Sequence, residues 1–244
     1  MQRVAALYDI HGNLPALEAV LEDVRREAVD AIVVGGDVMP GPMPRECLDL
    51  IYSTGIRTEF VRGNGESAAF ESLRGGTLEK IPEPFREGIR WSANELPDKY
   101  VAALTSWPLS IRVRVRGLGV VLFCHATPRS DTEIFTRLSP DERVRTMFNG
   151  ADAKVAVCGH THMQFDRTVD SLRIVNAGSV GMPFADPGAY WLLLGPDVAL
   201  RRTQYDFEAA AARIRGSAFP GADVFATSVP GPRSESEMLA LYER

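Results

Sequence analysis

Two carboxylates, one amide and all four histidines of this chain stand in five stretches of one design. Val4-Ala5-Ala6-Leu7 runs into Tyr8-Asp9-Ile10-His11-Gly12-Asn13, and Ala31-Ile32-Val33-Val34 runs into Gly35-Gly36-Asp37. Thr58-Glu59-Phe60-Val61 leads to Arg62-Gly63-Asn64, Val120-Val121-Leu122-Phe123-Cys124 to His125, and Lys154-Val155-Ala156-Val157-Cys158 to Gly159-His160-Thr161-His162. Each apolar run reads as a short buried strand, and each ends on a residue that can ligate a metal ion. Asp9 and His11, two apart just past a strand end, can point the same way. Gly12 permits a sharp turn there, and Asn13 can cap the helix that follows. Taken alone, Asp-Ile-His-Gly describes a capped turn equally well. Five repetitions that absorb every histidine of a 244-residue chain do not arise by chance.

The donor set comprises Asp9, Asp37, Asn64, His11, His125, His160 and His162. It is too large for one ion of ordinary coordination number and suits two, if one carboxylate bridges. Nitrogen and oxygen donors without thiolate fit Mn, Fe, Ni, Co or Zn without choosing among them; manganese is the working expectation. Two cations about 3.5–4 Å apart with open positions can clamp a phosphoryl group and supply a bridging hydroxide for in-line attack. A neutral amide such as Asn64 leaves its ion more positive than a third carboxylate would.

These residues must be positioned by an α/β frame. Asn13-Leu14-Pro15 opens a helix with proline in its first turn, and Leu14, Leu17, Val20, Leu21 and Val24 form its apolar stripe. Pro44 to Ser53 reads as a second helix. Alternating strands and helices imply right-handed βαβ units and a mainly parallel sheet, whose sites lie beyond the carboxyl ends of the strands. From about Glu66 to Trp107 the alternation breaks into three helical stretches, 67–74, 84–96 and 97–107. This is the candidate for an inserted cap over the site, with Arg86, Arg90 and Trp91 available to a substrate. Ile111 to Arg116 forms a hairpin with the strand ending at His125, its arginines on a wet face. Ser139-Pro140-Asp141-Glu142 reads as a capping box opening a helix to about Asn149. The segments 164–169, 173–176, 190–194 and 198–205 suggest a second, antiparallel-rich sheet. Helices at 206–215 and 234–244 flank a Pro/Gly-rich stretch. The chain is expected to be one domain over residues 1–244, with the cap-like insert at about 66–107 and a C-terminal helical tail at about 206–244.

Composition narrows the classes of function. A net charge of −5 provides no basic field to draw in nucleic acid or anionic membrane. Together with a donor set that could clamp a phosphoryl group, this leaves a small-molecule phosphoester as the expected partner, and oligomeric state is left open. Cys47, Cys124 and Cys158 are odd in number, and the last two lie in apolar strands, as buried thiols do. Met1 to Tyr8 reads directly as strand, with no signal region, and no run approaches membrane-spanning length. Reduced thiols and a cytoplasmic protein are the expectation.

Asp9-Ile-His11, Gly36-Asp37, Gly63-Asn64, His125 and Gly159-His160-Thr161-His162 resemble the five ordered motifs of the calcineurin-like metallophosphoesterase superfamily. The likeness runs from residue 4 to about 180 and is nearest to the small bacterial phosphodiesterases of the YfcE type. It implies a four-layer α/β/β/α sandwich of two mixed sheets. It also implies one metal on Asp9, His11, Asp37 and His162 and another on Asp37, Asn64, His125 and His160, with Asp37 bridging. The activity implied is hydrolysis of small soluble or nucleotide-like phosphodiesters by a metal-bridging hydroxide, with Asp37, Asn64 and His125 closest to the chemistry. Arg129, in the loop after His125, is a weaker candidate for holding a phosphate oxygen. A phosphomonoesterase or protein phosphatase is the alternative within the class, and a non-catalytic scaffold of the same fold the alternative outside it.

One position departs from the motifs. The third usually reads Gly-Asn-His-Asp/Glu, and here it is Gly63-Asn64-Gly65-Glu66. The resemblance gives the missing histidine the role of acid or hydrogen-bond donor to the departing oxygen. Glu66, which would orient it, is expected to lack a partner and to serve only as an acid in the first turn of a helix.

Overall fold

A computed structural model describes residues 1–243. Ten strands form two five-stranded sheets among the described residues. In the first, β1 (Val4–Leu7), β2 (Ala31–Val34) and β3 (Arg57–Phe60) run parallel. The order is β10-β9-β1-β2-β3, with β9 (Ala189–Leu194) antiparallel to β1 and β10 (Val198–Thr203) antiparallel to β9. In the second, ordered β4-β5-β6-β8-β7, the parallel trio is β5 (Gly119–Cys124), β6 (Val155–Cys158) and β8 (Leu172–Asn176). β4 (Ser110–Val115) and β7 (Phe165–Val169) are its antiparallel edges.

The two-residue period of the strands builds four layers. Val4 and Ala6 of β1, Val33 of β2, and Val155 and Val157 of β6 meet between the sheets. Ala5, Leu7, Ile32 and Val34 face a helical layer that includes α1 (Leu14–Arg26) and α2 (Pro44–Tyr52). Leu122, Cys124, Ala156 and Cys158 face the opposite way, onto Val144 and Met147 of α6 (Asp141–Met147). The five ligand-bearing strands are thus split three and two between facing sheets. The last four strands do not make a sheet of their own. β7 and β8 extend the second sheet, while β9 and β10 complete the first. All six residues of β9 are buried, as befits an unbroken apolar run inside a sheet.

Local sequence explains several element boundaries. Asn13 caps α1 by accepting from Ala16 N at 3.2 Å, and its amide donates to Gly181 O at 2.9 Å. The capping box expected at Ser139 is not formed. Ser139 Oγ accepts from Thr136 N at 2.9 Å and donates to the Glu243 carboxylate, which leaves Pro140 as the cap of a helix that ends at Met147.

The 66–107 segment holds α3 (Asn64–Leu73), α4 (Glu83–Asn94) and α5 (Asp98–Thr105). Tyr100 stacks on Tyr52, and Trp107 stacks on Phe60 with centroids 4.4 Å apart, which packs this segment onto α2 and the helix-facing side of β3. Ser92 of α4 hydrogen-bonds both the N–H and the carbonyl of Gly41, gripping the loop after Asp37. Arg86 and Arg90 donate to the carbonyls of Ile81, Glu79 and Thr77, and Trp91 packs edge-on against Phe219. These side chains are engaged in holding their own surroundings. Beyond β10, α7 (Phe207–Arg215) and α8 (Ala222–Ser228) join the first helical layer through Ile214, Phe225 and Ala226, and α9 (Glu235–Tyr242) follows. Arg244, the last residue of the expected tail, lies outside the described residues.

Asn13 ties a helix start to the loop that receives Asp9, so its removal tests the frame. Asn13→Ala should lower unfolding stability by about 1–3 kcal/mol, because it strips a cap and leaves a buried carbonyl unpaired. A denaturant midpoint equal to that of the wild type at unchanged m-value would refute this.

Candidate metal centre

The five strand ends converge. The loops after β1 and β2 run side by side, with Asp9 N donating to Gly36 O at 3.1 Å, His11 N to Asp37 O at 2.9 Å and Gly12 N to Val38 O at 2.8 Å. Gly159 N donates to His125 O at 2.8 Å across the second sheet, and Gly181 N to Asp9 O at 3.0 Å between the sheets. Asp9, His11, Asp37, His160 and His162 all adopt left-handed backbone, with φ of 53°, 48°, 53°, 66° and 57°. Such conformations cost about 1–3 kcal/mol each and persist only where the surroundings over-determine them. Gly36 takes φ 95°, and a Cβ there would lie 2.6 Å from Gly63 N and 2.8 Å from His125 Nδ1. The Asp37 turn therefore needs glycine twice over, for its conformation and for its space.

Three imidazoles are held in one tautomer by backbone carbonyls. His11 Nδ1 donates to Pro40 O at 3.1 Å, His125 Nδ1 to Gly35 O at 2.9 Å and His162 Nδ1 to Met182 O at 2.6 Å. In the neutral ring each Nε2 is then a bare lone pair aimed inward, the usual outer support of a metal-ligating histidine. The lone pairs face other acceptors. His11 Nε2 lies 3.1 Å from His162 Nε2, and His125 Nε2 lies 3.0 Å from Asn64 Oδ1. Asp9 Oδ1, fully buried, has no hydrogen-bond partner and faces His162, His125 and His11 at 3.5, 3.8 and 4.0 Å. Acceptors packed against acceptors in a dry site call for a cation among them.

Two sets of donors meet this condition: Asp9, His11 and His162, and Asp9, Asp37 and His125. Asp9 is common to both sets; Asp37 belongs to the second, with Oδ1 3.6 Å from His125, and its Oδ2 also lies 3.7 Å from His11 of the first. The half-buried His160 sets its ring edge-on to His125, centroids 5.1 Å apart, while its backbone N–H holds Asp9 Oδ2 at 2.9 Å. Burial draws His11 and His160 down to about 3, so both rings are neutral, as ligands must be. Burial opposes charge on His125 and His162 as well, but the facing Asp37 and Asp9 carboxylates outweigh it and raise both. Burial also pushes Asp37 up to about 7, where the neighbouring Glu66 and Asp9 charges add to the effect. Arg129 is 54% exposed, and its guanidinium is held by Glu133 at 2.6 Å.

Glu66 corrects the expectation that it lacks a partner. It is fully buried and accepts from the backbone N–H groups of Asp37 and Val38, each at 2.9 Å, and of Gly63 at 2.8 Å. The helix α3 therefore starts at Asn64, and its first turn holds the Asp37 loop in place. Gly65 lies in that same turn with ordinary helical backbone. A Cβ there would sit 1.9 Å from Met39 O, and its N–H donates to Asp37 Oδ1 at 2.6 Å. Two further supports escaped the reading of the sequence. Asn176 donates to Gly159 O at 2.7 Å, and Ser179 Oγ donates to Asp9 O at 2.7 Å. Asn176-Ala177-Gly178-Ser179 ends an apolar strand much as the five donor-carrying stretches do, and that was its available signal.

Because Glu66 gathers N–H groups from two loops, Glu66→Gln turns an amide NH₂ toward backbone donors. The variant should lose about 1–3 kcal/mol of stability and retain less divalent metal than the wild type. Unchanged unfolding and unchanged metal content by elemental analysis would remove Glu66 from this role.

The family model for the calcineurin-like phosphoesterase superfamily domain matches residues 2–195. An uncharacterized protein of Methanocaldococcus jannaschii is 28% identical over 237 residues, covering 89% of this chain and 93% of its own. A metallophosphoesterase from Sphaerobacter thermophilus is similar in structure with a TM-score of 0.69 and 26% identity, over 94% of this chain and 99% of that one. A hypothetical protein from Pyrococcus horikoshii shares the fold with a TM-score of 0.81 at 20% identity, over 95% of this chain and all of that one. With five ordered motifs brought to one buried cluster, the chain belongs to the calcineurin-like phosphoesterase superfamily, whose members depend on metal ions.

Proposed function

We propose that the protein is a phosphodiesterase that holds two divalent ions on Asp9, His11, Asp37, Asn64, His125, His160 and His162 and hydrolyses small phosphodiesters. The observation that carries this reading is the orphaned Asp9 Oδ1 beneath three inward-facing Nε2 atoms. When bound, a pair of such ions clamps a phosphoryl group and activates water toward it. The chain's own residues prepare the site for that chemistry. Pro40, Gly35 and Met182 carbonyls fix which imidazole nitrogen is bare. Asp37 offers one oxygen to each donor set, and Asn64 contributes an uncharged oxygen, which preserves positive charge.

The donor count leads to a stoichiometry. Purified protein should bind two divalent ions per chain, and Asp37→Ala should weaken both sites because its carboxylate faces both sets. Elemental analysis at saturating Mn²⁺ that finds one ion or none in folded wild-type protein would overturn the dinuclear reading.

Gly65 shapes which substrates are fast. No imidazole stands there to protonate a departing oxygen, and a general acid contributes about 10²–10⁴ in rate. Aryl esters, whose phenolate leaves without a proton, should be hydrolysed much faster than alkyl esters. Gly65→His should not repair the deficit, because its Cβ would overlap Met39 O; it should lose metal and slow every substrate. A Gly65→His protein that keeps two metals and gains selectively on alkyl esters would show that Met39 yields and that this account of the turn is wrong.

A further inference from the structure

Of the four imidazoles, His162 alone lies against an apolar aromatic ring among the described residues. Phe184 stacks on it with centroids 5.0 Å apart and planes 17° from parallel, whereas His11 meets it at 43° and His160 meets His125 edge-on. The backbone repeats the grip. His162 Nδ1 donates to Met182 O at 2.6 Å, and Phe184 N donates to His162 O at 3.1 Å. Met182 N in turn donates to Ser179 Oγ at 2.8 Å, and that hydroxyl donates to Asp9 O. Residues 182 and 184 thus hold His162 by its ring edge, its ring face and its carbonyl.

These contacts do different work. A histidine ring turns about its second side-chain torsion with broad, weak preference. The hydrogen bond at Nδ1 selects the tautomer and fixes one edge of the ring, yet leaves the plane able to tilt about that edge. A near-parallel ring on its face resists the tilt, since aromatic pairs favour definite offset geometries. The carbonyls that serve His11 and His125 lie in the loop after β2, which Glu66 and Ser92 hold. His162 depends instead on the connection 177–188 between β8 and β9, where Phe184 is half-buried.

The support of Phe184 comes from outside the span 2–195 that matches the family domain. Phe184 packs against the cluster that Met163, next to His162, forms with Met238 and Leu239 of α9. That helix is pinned in turn. Ser234 caps it by accepting from Glu237 N at 3.3 Å, and Glu235 accepts from Arg137 Nε at 2.7 Å. At its far end Glu243 accepts from Thr136 Oγ1 at 2.6 Å.

We propose that Phe184 is a positioning residue for His162, holding the plane of the imidazole so that Nε2 serves the ion assigned to Asp9, His11 and His162, and that α9 holds Phe184 in place. This rests on the two-ion reading of the site and makes the two ions unequal. One depends on the C-terminal helix through a single stacked ring, and the other does not.

The test uses the full-length protein freed of metal and titrated with Co²⁺, whose visible absorption reports each ion as it binds. His162→Ala identifies the ion that this ring serves. Phe184→Leu keeps an apolar side chain without the flat face. It should weaken that ion about ten- to hundredfold, the usual effect of losing a partner that orients a metal-bound histidine, and leave the other within about twofold. Phe184→Tyr keeps the ring and should bind both ions as the wild type does. Leu239→Ala, which cuts the support that α9 gives, should weaken the same ion by a smaller factor. Wild-type affinity for both ions in Phe184→Leu would overturn the proposal. So would an equal loss of both ions, or a loss that Phe184→Tyr shares, since each describes general loosening and not a ring held in plane. Unchanged affinity in Leu239→Ala would overturn the part given to α9. A wild type that takes up a single ion would overturn the two-ion reading, and Phe184 is then judged on that ion: weakening by Phe184→Leu upholds its role, and unchanged affinity overturns it.

Discussion

Asp9 Oδ1 lies at zero exposure with three imidazole nitrogens around it and no hydrogen-bond partner. A buried acceptor left in that condition costs free energy, and several packed together cost more. Most of what is unusual in this fold serves to maintain the arrangement. Left-handed backbone at five donor residues turns their side chains inward, and parallel strands from two sheets supply the rigid ends on which those turns are built. Carbonyls of Pro40, Gly35 and Met182 settle the tautomers, and Glu66 binds two of the loops to each other. Without a cation among those lone pairs, the interactions at the centre hold like against like.

That constraint explains why so much was legible in the residues alone. Metal donors must be of a few types, they must stand at strand ends, and strand ends announce themselves by apolar runs that stop at glycine. Asp9, His11, Asp37, Asn64, His125, His160 and His162 are of such types and stand at such strand ends, usually with glycine nearby; the structure gathers Asp9, His11, Asp37, His125 and His162 into two donor sets, with Asn64 and His160 beside His125. The resemblance carried by the same motifs implied four layers with two mixed sheets, and the structure has them. What stayed hidden depends on backbone partners, which no side-chain type reveals. Glu66 looks in sequence like an ordinary acid in a first helical turn, yet its oxygens are taken up by N–H groups from residues 37, 38 and 63. Ser139 looks like a cap, but the Glu243 carboxylate, a hundred residues later, takes its hydroxyl. The assignment of β7 to β10 failed for a related reason. Short strands carry no mark of which sheet they will join, and only the unbroken apolar run of β9 distinguished a central strand from an edge.

The cluster also joins the two halves of the sandwich. The first sheet contributes Asp9, His11, Asp37 and Asn64, the second His125, His160 and His162. Apolar contact between Val4, Ala6, Val33, Val155 and Val157 brings the sheets together without fixing their mutual slide to a fraction of an ångström. Directional groups do that. Hydrogen bonds from His125 to Gly35, from His160 N to Asp9 and from Ser179 to the Asp9 carbonyl cross the divide. Metal ligation would add to this lock, so occupancy and sandwich stability are linked quantities.

The pairing of β1 with β9 carries a different consequence, one for how the chain reaches this state. Val4 lies opposite Leu194, so the strand that presents Asp9 and His11 receives its second neighbour from almost the other end of the domain. During synthesis β1 and β2 can pair early, while the far edge of β1 stays open until some 190 residues have emerged. Contacts of such sequence separation slow folding, since loop closure precedes the reward of pairing. An apolar, unpaired edge is meanwhile exposed to association with other chains. The nascent protein thus passes through an interval of vulnerability set by its topology, which closes only when Ala189–Leu194 docks and covers β1.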